Sequence, residues 1–241
     1  MTDRQIRPLE PAPSLTEQVY AAISAMLLDG TLRPDGRSSI RELAETLGVS
    51  TMPVREAVGR LVAQGALVVH RNRAVAVPRY TEAGFLELTR TRILLEGEAA
   101  RQAAIRVTGP ERTAIEALHE AFAAALAKGS AAEALVLNRR LHFALYDAAR
   151  APMLRQLIGI AWLKAGPFLS LDVGASAAEP ADTARGAHSV SAHAAIVAAL
   201  GTGDGAAASA AVASDIAAAA RTILARDGLF EREETEDGSG T

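Results

Sequence analysis

The sequence predicts a mostly α-helical protein in two parts: a small N-terminal module of three helices and a β-hairpin, then an all-helical antiparallel bundle. Three observations carry this expectation. Alanine is abundant while aromatic residues make up only 4% of 241, a composition that favours helices over strands. Four hydroxyl–glutamate pairs (Ser14 with Glu17, Ser39 with Glu42, Thr108 with Glu111, Ser130 with Glu133) have the spacing of capping boxes, which satisfy free amides at a helix start. One stretch, "ALVVHRNRAVAVP", has β-branched residues on either side of a basic tip, as a hairpin would.

The elements follow in order. A first helix runs from Leu15 to Asp29 and stops at Gly30. After the turn "RPDG", a short helix covers Ser39–Leu47, "GVS" makes a tight turn, and a third helix spans Thr51–Gln64 before Gly65. Pro78 closes the hairpin and Thr81 caps the next helix. Apolar stripes at helical spacing then place helices at 82–107, 111–128, 131–150, 152–172, 184–201 and 204–226. Residues 174–186, "GASAAEPADTARG", read as a polar loop, and the acidic "EREETEDGSGT" lacks apolar anchors. The chain therefore divides into a flexible N-terminus (1–13), a module of three helices and a hairpin (14–80), an all-helical domain (81–228) and an acidic disordered tail (229–241).

Composition narrows the function classes. Hydrophobic content of 49% with 22% charge is that of a soluble globular protein. With no cysteine, disulfides, thiolate metal sites and cysteine nucleophiles are excluded. The N-terminus lacks the apolar core of a signal peptide and no apolar run approaches a membrane span, so the expectation is a cytoplasmic protein with no membrane partner. The net charge of −3 is unevenly spread: between 51 and 79 five arginines face one acid. Local basic charge of this kind points to nucleic acid.

Three helices with a Gly turn between the second and third, followed by a hairpin, describe a winged helix-turn-helix, whose third helix enters the major groove. Val54, Ala57, Val58 and Leu61 form the inward face of that helix, leaving Arg55 and Arg60 for phosphates or bases. His70, Arg71 and Arg73 at the hairpin tip supply charge neutralisation. The blander alternative is a packing module with solvated arginines.

"IRELAETLGVSTMPVREAVGRLVAQGAL" followed by "VVHRNRAVAVP" resembles the DNA-binding domain of the GntR family of bacterial transcription regulators. The helical remainder is similar to the FCD effector domain of its FadR-type branch, in the six-helix, VanR-like variant. The resemblance implies a phosphate contact from Arg41 and operator contacts from Ser50, Thr51 and Arg55, with Arg55 reading a guanine. Three positions depart from the family pattern: Thr51 stands where arginine is common, Met52 where threonine is usual, and Ala74 in place of the wing glycine.

In the bundle, polar residues interrupt the apolar stripes. Asn138 and His142 share a face with Leu135, Leu141 and Leu145; His193, Asp215 and Arg92 interrupt three further stripes. Unpaired polar groups there cost roughly 1–3 kcal/mol each, so these residues either pair with one another or hold a ligand. Two imidazoles and a carboxylate suit zinc, nickel or manganese. The resemblance sharpens this to the FCD metal site, an Asp-x3-His pair completed by two later histidines, with Asn138 in place of the aspartate and Asp215 in place of the last histidine. It also implies that Arg92 faces a small organic-acid effector, although pairing with a neighbour such as Glu96 accounts for Arg92 equally well.

The expected function is thus a ligand-responsive regulator binding a pseudo-palindromic operator as a homodimer. Three alternatives stand beside it: a metal-dependent helical hydrolase with a DNA-binding appendage, a constitutive DNA-binding protein without effector, and a protein-interaction module with a basic wing.

Overall fold

A computed structural model describes residues 13–34, 36–71, 73–178 and 184–231, with side chains of 174–178 and 184 excepted. The expected flexible N-terminus lies outside the described residues, except for Pro13.

The N-terminal module runs α1 (Leu15–Leu28), β1 (Arg37–Ser39), α2 (Ile40–Leu47), α3 (Thr51–Ala63), β2 (Val68–Val69) and β3 (Ala74–Ala76). Capping boxes start α1 and α2, each with the serine hydroxyl accepting the amide three residues on. Gly48, at φ 66°, ends α2 in the left-handed conformation that turns the chain into α3. The inward residues Val54, Ala57, Val58 and Leu61 are all buried, against Ile23 and Leu27 of α1 and Leu43 of α2. Truncating a residue such as Leu61 to alanine costs about 2–5 kcal/mol. The hairpin is joined by a strand that the sequence reading missed: β1 pairs with β3 on the edge opposite β2, giving the antiparallel order β1-β3-β2.

The bundle comprises α4 (Glu82–Arg106), α5 (Gly109–Ala127), α6 (Ala131–Ala148), α7 (Pro152–Ala178), α8 (Ala184–Thr202) and α9 (Gly205–Leu224). Thr81 caps α4 by accepting the Gly84 amide, and Glu111 accepts both the Thr108 amide and its hydroxyl. The fourth expected box is absent. Ser130 has ψ 79° where the serines and threonine of the other three expected boxes lie near 160°, and its hydroxyl makes no cap hydrogen bond.

Small residues bring α4 and α9 close: a Cβ on Gly97 would lie 2.8 Å from Ser209 Oγ. By length and hydropathy α9 is apolar enough to cross a membrane, contrary to expectation, but half of its apolar window is buried and it carries Asp215 inward.

Helix α7 joins the two parts. A Cβ on Gly166 would lie 2.9 Å from the Leu27 carbonyl of α1, and one on Gly30 would overlap Ser170 Oγ. The expected loop at 174–186 is largely helix: α7 continues to Ala178 and α8 begins at Ala184, with 179–183 outside the described residues. The expected tail is also corrected at its start. Phe230 packs on Phe85 and stacks on Phe168, and the Glu231 amide donates to the Tyr80 carbonyl. The apolar pair Leu229 and Phe230 anchors those residues, and 232–241 lie outside the described residues.

Candidate functional site

On the DNA-facing side, Ser50, Thr51, Met52 and Arg55 are exposed at the start of α3. Ser50 makes no side-chain cap, so its hydroxyl and the free amides behind it face outward, where a phosphate can meet them. Arg41 is exposed and pairs with Glu45 at 3.0 Å, a solvent-screened pair readily exchanged for a phosphate. Arg60 is not freely solvated: its guanidinium lies 4.1 Å over the Tyr20 ring of α1. At the wing, the left-handed residue is Arg73 (φ 65°), while Ala74 lies in β3 opposite Ser39. The turn therefore needs no glycine at 74. The His70 carbonyl accepts the Arg73 amide at 2.8 Å, and His70 and Arg71 are exposed beside it.

Inside the bundle, α6, α8 and α9 bring His142, His193 and Asp215 together, one donor atom from each lying within 4.8 Å of the others. Their exposures are 1%, 0% and 6%. Asp215 Oδ2 is 3.4 Å from His142 Nε2 and 3.8 Å from His193 Nε2. Burial opposes the charge on Asp215, but the facing imidazoles outweigh it and hold the carboxyl well below the usual carboxylate range. Burial pushes His193 below the ordinary 6.5 despite Asp215, leaving a neutral ring. Asn138 and Arg92 line a cavity of about 20 Å³ together with His142, Asp215, Trp162 and Arg185.

A chain of buried hydrogen bonds fixes the tautomer of His142. Arg92 pairs with Glu96 at 2.6 Å, and the Tyr146 hydroxyl donates to the same carboxylate. With its proton committed there, the Tyr146 oxygen accepts from His142 Nδ1 at 2.9 Å. His142 Nε2 is then the nitrogen facing the Asp215 carboxylate, a lone pair against a lone pair unless a cation or a proton lies between. His193 has no hydrogen-bond partner at either ring nitrogen. An ionised carboxylate, an oriented imidazole and an unsatisfied neutral imidazole are the state in which a site takes up a metal ion.

Charge counting agrees. Arg92 is matched by Glu96, and Arg185 by Asp172, which it grips with two hydrogen bonds of 2.9 and 2.7 Å. Asp215 carries the remaining negative charge of the cavity wall, and shares Arg185 with Asp172 only through a longer contact of 3.8 Å. A divalent ion there would turn a net charge of −1 into +1.

The sequence reading did not single out Tyr146, Asp172, Arg185 or Trp162 as parts of this site. Tyr146 was findable, four residues after His142 on the same face; Arg185 was hidden by the expected loop. His119, expected at the surface, has a buried Nδ1 without a partner and its ring 6.4 Å from that of His193. A separate apolar groove of about 340 Å³ between α4 and α7, lined by Leu88, Leu157 and Lys164, shares none of these residues.

Comparison with known proteins places both halves. Residues 15–77 match the model of the bacterial regulatory proteins, gntR family, and residues 87–218 match the FCD domain. The HTH-type transcriptional regulator McbR of Escherichia coli (strain K12) is 35% identical over 156 residues, 65% of this chain and 71% of that protein. The solved structure of E. coli McbR/YncC superposes with a TM-score of 0.80 at 30% identity, covering 88% of this chain and 98% of the other. A GntR regulator from Rhodococcus sp. RHA1 shares the fold at 22% identity and a TM-score of 0.67, covering 88% and 98%. These families and relatives are regulators, not enzymes, which sets the hydrolase alternative aside.

Proposed function

The chain belongs to the GntR family of transcription regulators and carries an FCD effector domain, and on that premise we propose that it is a cytoplasmic, ligand-responsive regulator whose bundle holds a divalent metal and a small organic acid. It binds a pseudo-palindromic operator as a homodimer, because a twofold protein reads a twofold site. Arg55 and the start of α3 read bases, while Arg41, Arg60, Arg71 and Arg73 neutralise phosphates and His70 offers a ring nitrogen beside them.

The observation that carries the metal reading is the pairing of an oriented His142 Nε2 with the Asp215 carboxylate beside an unsatisfied His193. His142, His193 and Asp215 would hold zinc, nickel or manganese, with the neutral oxygen of Asn138 the weakest candidate ligand. When bound, the ion supplies a Lewis-acidic centre for a carboxylate oxygen. The remaining work belongs to the chain. Arg92, held by Glu96 and lying 5.0 Å over Trp162, stiffens the cavity wall. Effector binding shifts the arrangement of the DNA-binding modules by favouring one state over the other.

The test is an operator selection with the purified protein, followed by binding measurements with and without zinc, nickel or manganese and a panel of small organic acids. Operator affinity that depends on one metal–acid combination supports the proposal. Affinity indifferent to every combination would instead establish a constitutive DNA-binding protein.

A further inference from the structure

Arg185 is the cationic group at the cavity whose partner is best placed to be exchanged. It sits in the first turn of α8 with its side chain 15% exposed, gripping Asp172 of α7 through two parallel hydrogen bonds. Its Nη1 also lies 3.8 Å from Asp215 Oδ1, and Ser189 bridges by donating to the same oxygen at 3.3 Å. Arg92, in contrast, is locked on one helix against Glu96, which is itself fixed by Tyr146. Releasing Arg92 would break the whole buried chain that orients His142. Releasing Arg185 leaves that chain intact: it breaks the tie from α8 to Asp172 of α7 and the longer contact with Asp215 of α9.

The cavity has an unmet need of its own. Trp162 Nε1, a donor only, is buried without an acceptor, and Trp162 lines the cavity. The space of about 20 Å³ is close to that of a single water, so an organic acid enters only by displacing something already there. Asp172 is a carboxylate in the position a ligand carboxylate would take.

We propose that Asp172 is an internal stand-in for the effector: a small monocarboxylate binds by replacing the Asp172 carboxylate on Arg185, with Trp162 as a further donor. This rests on the reading of the bundle as an effector domain and names the group that recognises the acid. The exchange also has a route to the DNA-binding module. Asp172 is two residues from Ser170, which sits flush against Gly30 at the end of α1, and Gly166 packs on Leu27 four residues before Ser170. Loss of the Arg185 tie therefore acts on the stretch of α7 that supports α1.

The single tryptophan makes the test direct, because Trp162 fluorescence reports the cavity without any DNA readout. The full chain is loaded with zinc, its zinc content measured, and titrated with sodium acetate at constant ionic strength, with acetamide as the neutral control. Removing the competitor in Asp172→Asn tightens acetate on the order of tenfold, as expected for one charge-assisted pair. Arg185→Lys, which keeps the charge but loses the two-pronged grip, weakens acetate on the order of tenfold, and acetamide binds to neither variant. Melting curves and binding to the selected operator verify that both variants are folded. Equal acetate affinity in all three proteins, or acetate binding to none of them, would overturn the exchange. The broader effector reading fails separately, when none of the small acids changes operator binding by the wild-type protein.

Discussion

The winged module and the helical bundle solve opposite problems with the same arginine chemistry. In the module, Arg41, Arg55 and Arg71 are exposed over a core of purely apolar side chains, with Val54, Ala57 and Leu61 fully or almost fully buried. Charge there is screened by water, contributes little to stability, and is available to a phosphate. In the bundle, Arg92 and Glu96 are 5% and 0% exposed, and His142, His193 and Asp215 are equally enclosed. A charge so placed must be matched, and every match constrains the next group along. The module can therefore lose an arginine and keep its fold, whereas the bundle cannot lose one member of its buried ion pairs without leaving the other unmatched.

The largest effect that follows is in the bundle. Glu96→Ala leaves Arg92 buried without its carboxylate and Tyr146 without an acceptor, and lowers stability by about 3–5 kcal/mol in denaturant unfolding. The contrast sharpens if Arg55→Ala, in the module, leaves unfolding within about 0.5 kcal/mol of wild type. That same substitution should weaken operator binding by about 1–3 kcal/mol and relax preference at one base pair, measured on single-base operator variants.

Next in size is Tyr146→Phe, which removes one oxygen 2.9 Å from His142 Nδ1 and no ligand. Metal affinity should fall roughly 10- to 100-fold in competition with a chelating dye. Unchanged affinity would mean that Tyr146 serves packing alone. Smaller still is Arg71→Ala at the wing, expected to weaken all DNA sequences alike and to reduce the salt slope of log K by about 1.

The smallest effect concerns acid stability. His193 titrates below the ordinary 6.5 because burial disfavours its charge. The unfolded chain then binds the proton first, so metal-free protein loses stability as pH falls from that value toward the folded one. Asp215, held low in the fold, adds a second loss as pH falls below its ordinary 3.8. His193→Asn should flatten the first decline and shrink the second, because one of the two imidazoles that hold Asp215 low is lost, read from melting temperatures across pH.

How far the sequence disclosed this molecule depends on the range of the interactions concerned. Helices were legible because their periodicity and caps are local: Ser14, Ser39 and Thr81 each mark an observed start. Strand β1 was not, since three residues without alternation acquire a strand only through pairing with β3 some 37 positions away, as Ser38 does with Val75. The same distinction runs through the site. His142, His193, Asp215 and Arg92 stood out as polar interruptions of apolar stripes, and Asn138 with them. Arg185 and Asp172 lay at the edges of a segment rich in small residues, where no stripe exists to interrupt. The function of Tyr146 was masked by its aromatic ring, which fits an apolar face whether or not its hydroxyl is used.

The proposed mechanism depends on the bundle's polar interior holding a metal ion. Its most direct test is elemental analysis of protein purified without chelator or histidine tag, before and after incubation with zinc, nickel and manganese. About one equivalent per chain is expected, lost in His142→Ala and in His193→Ala. Protein that stays metal-free in all three ions would contradict it, and a proton shared between His142 and Asp215 would then be what holds the pair together.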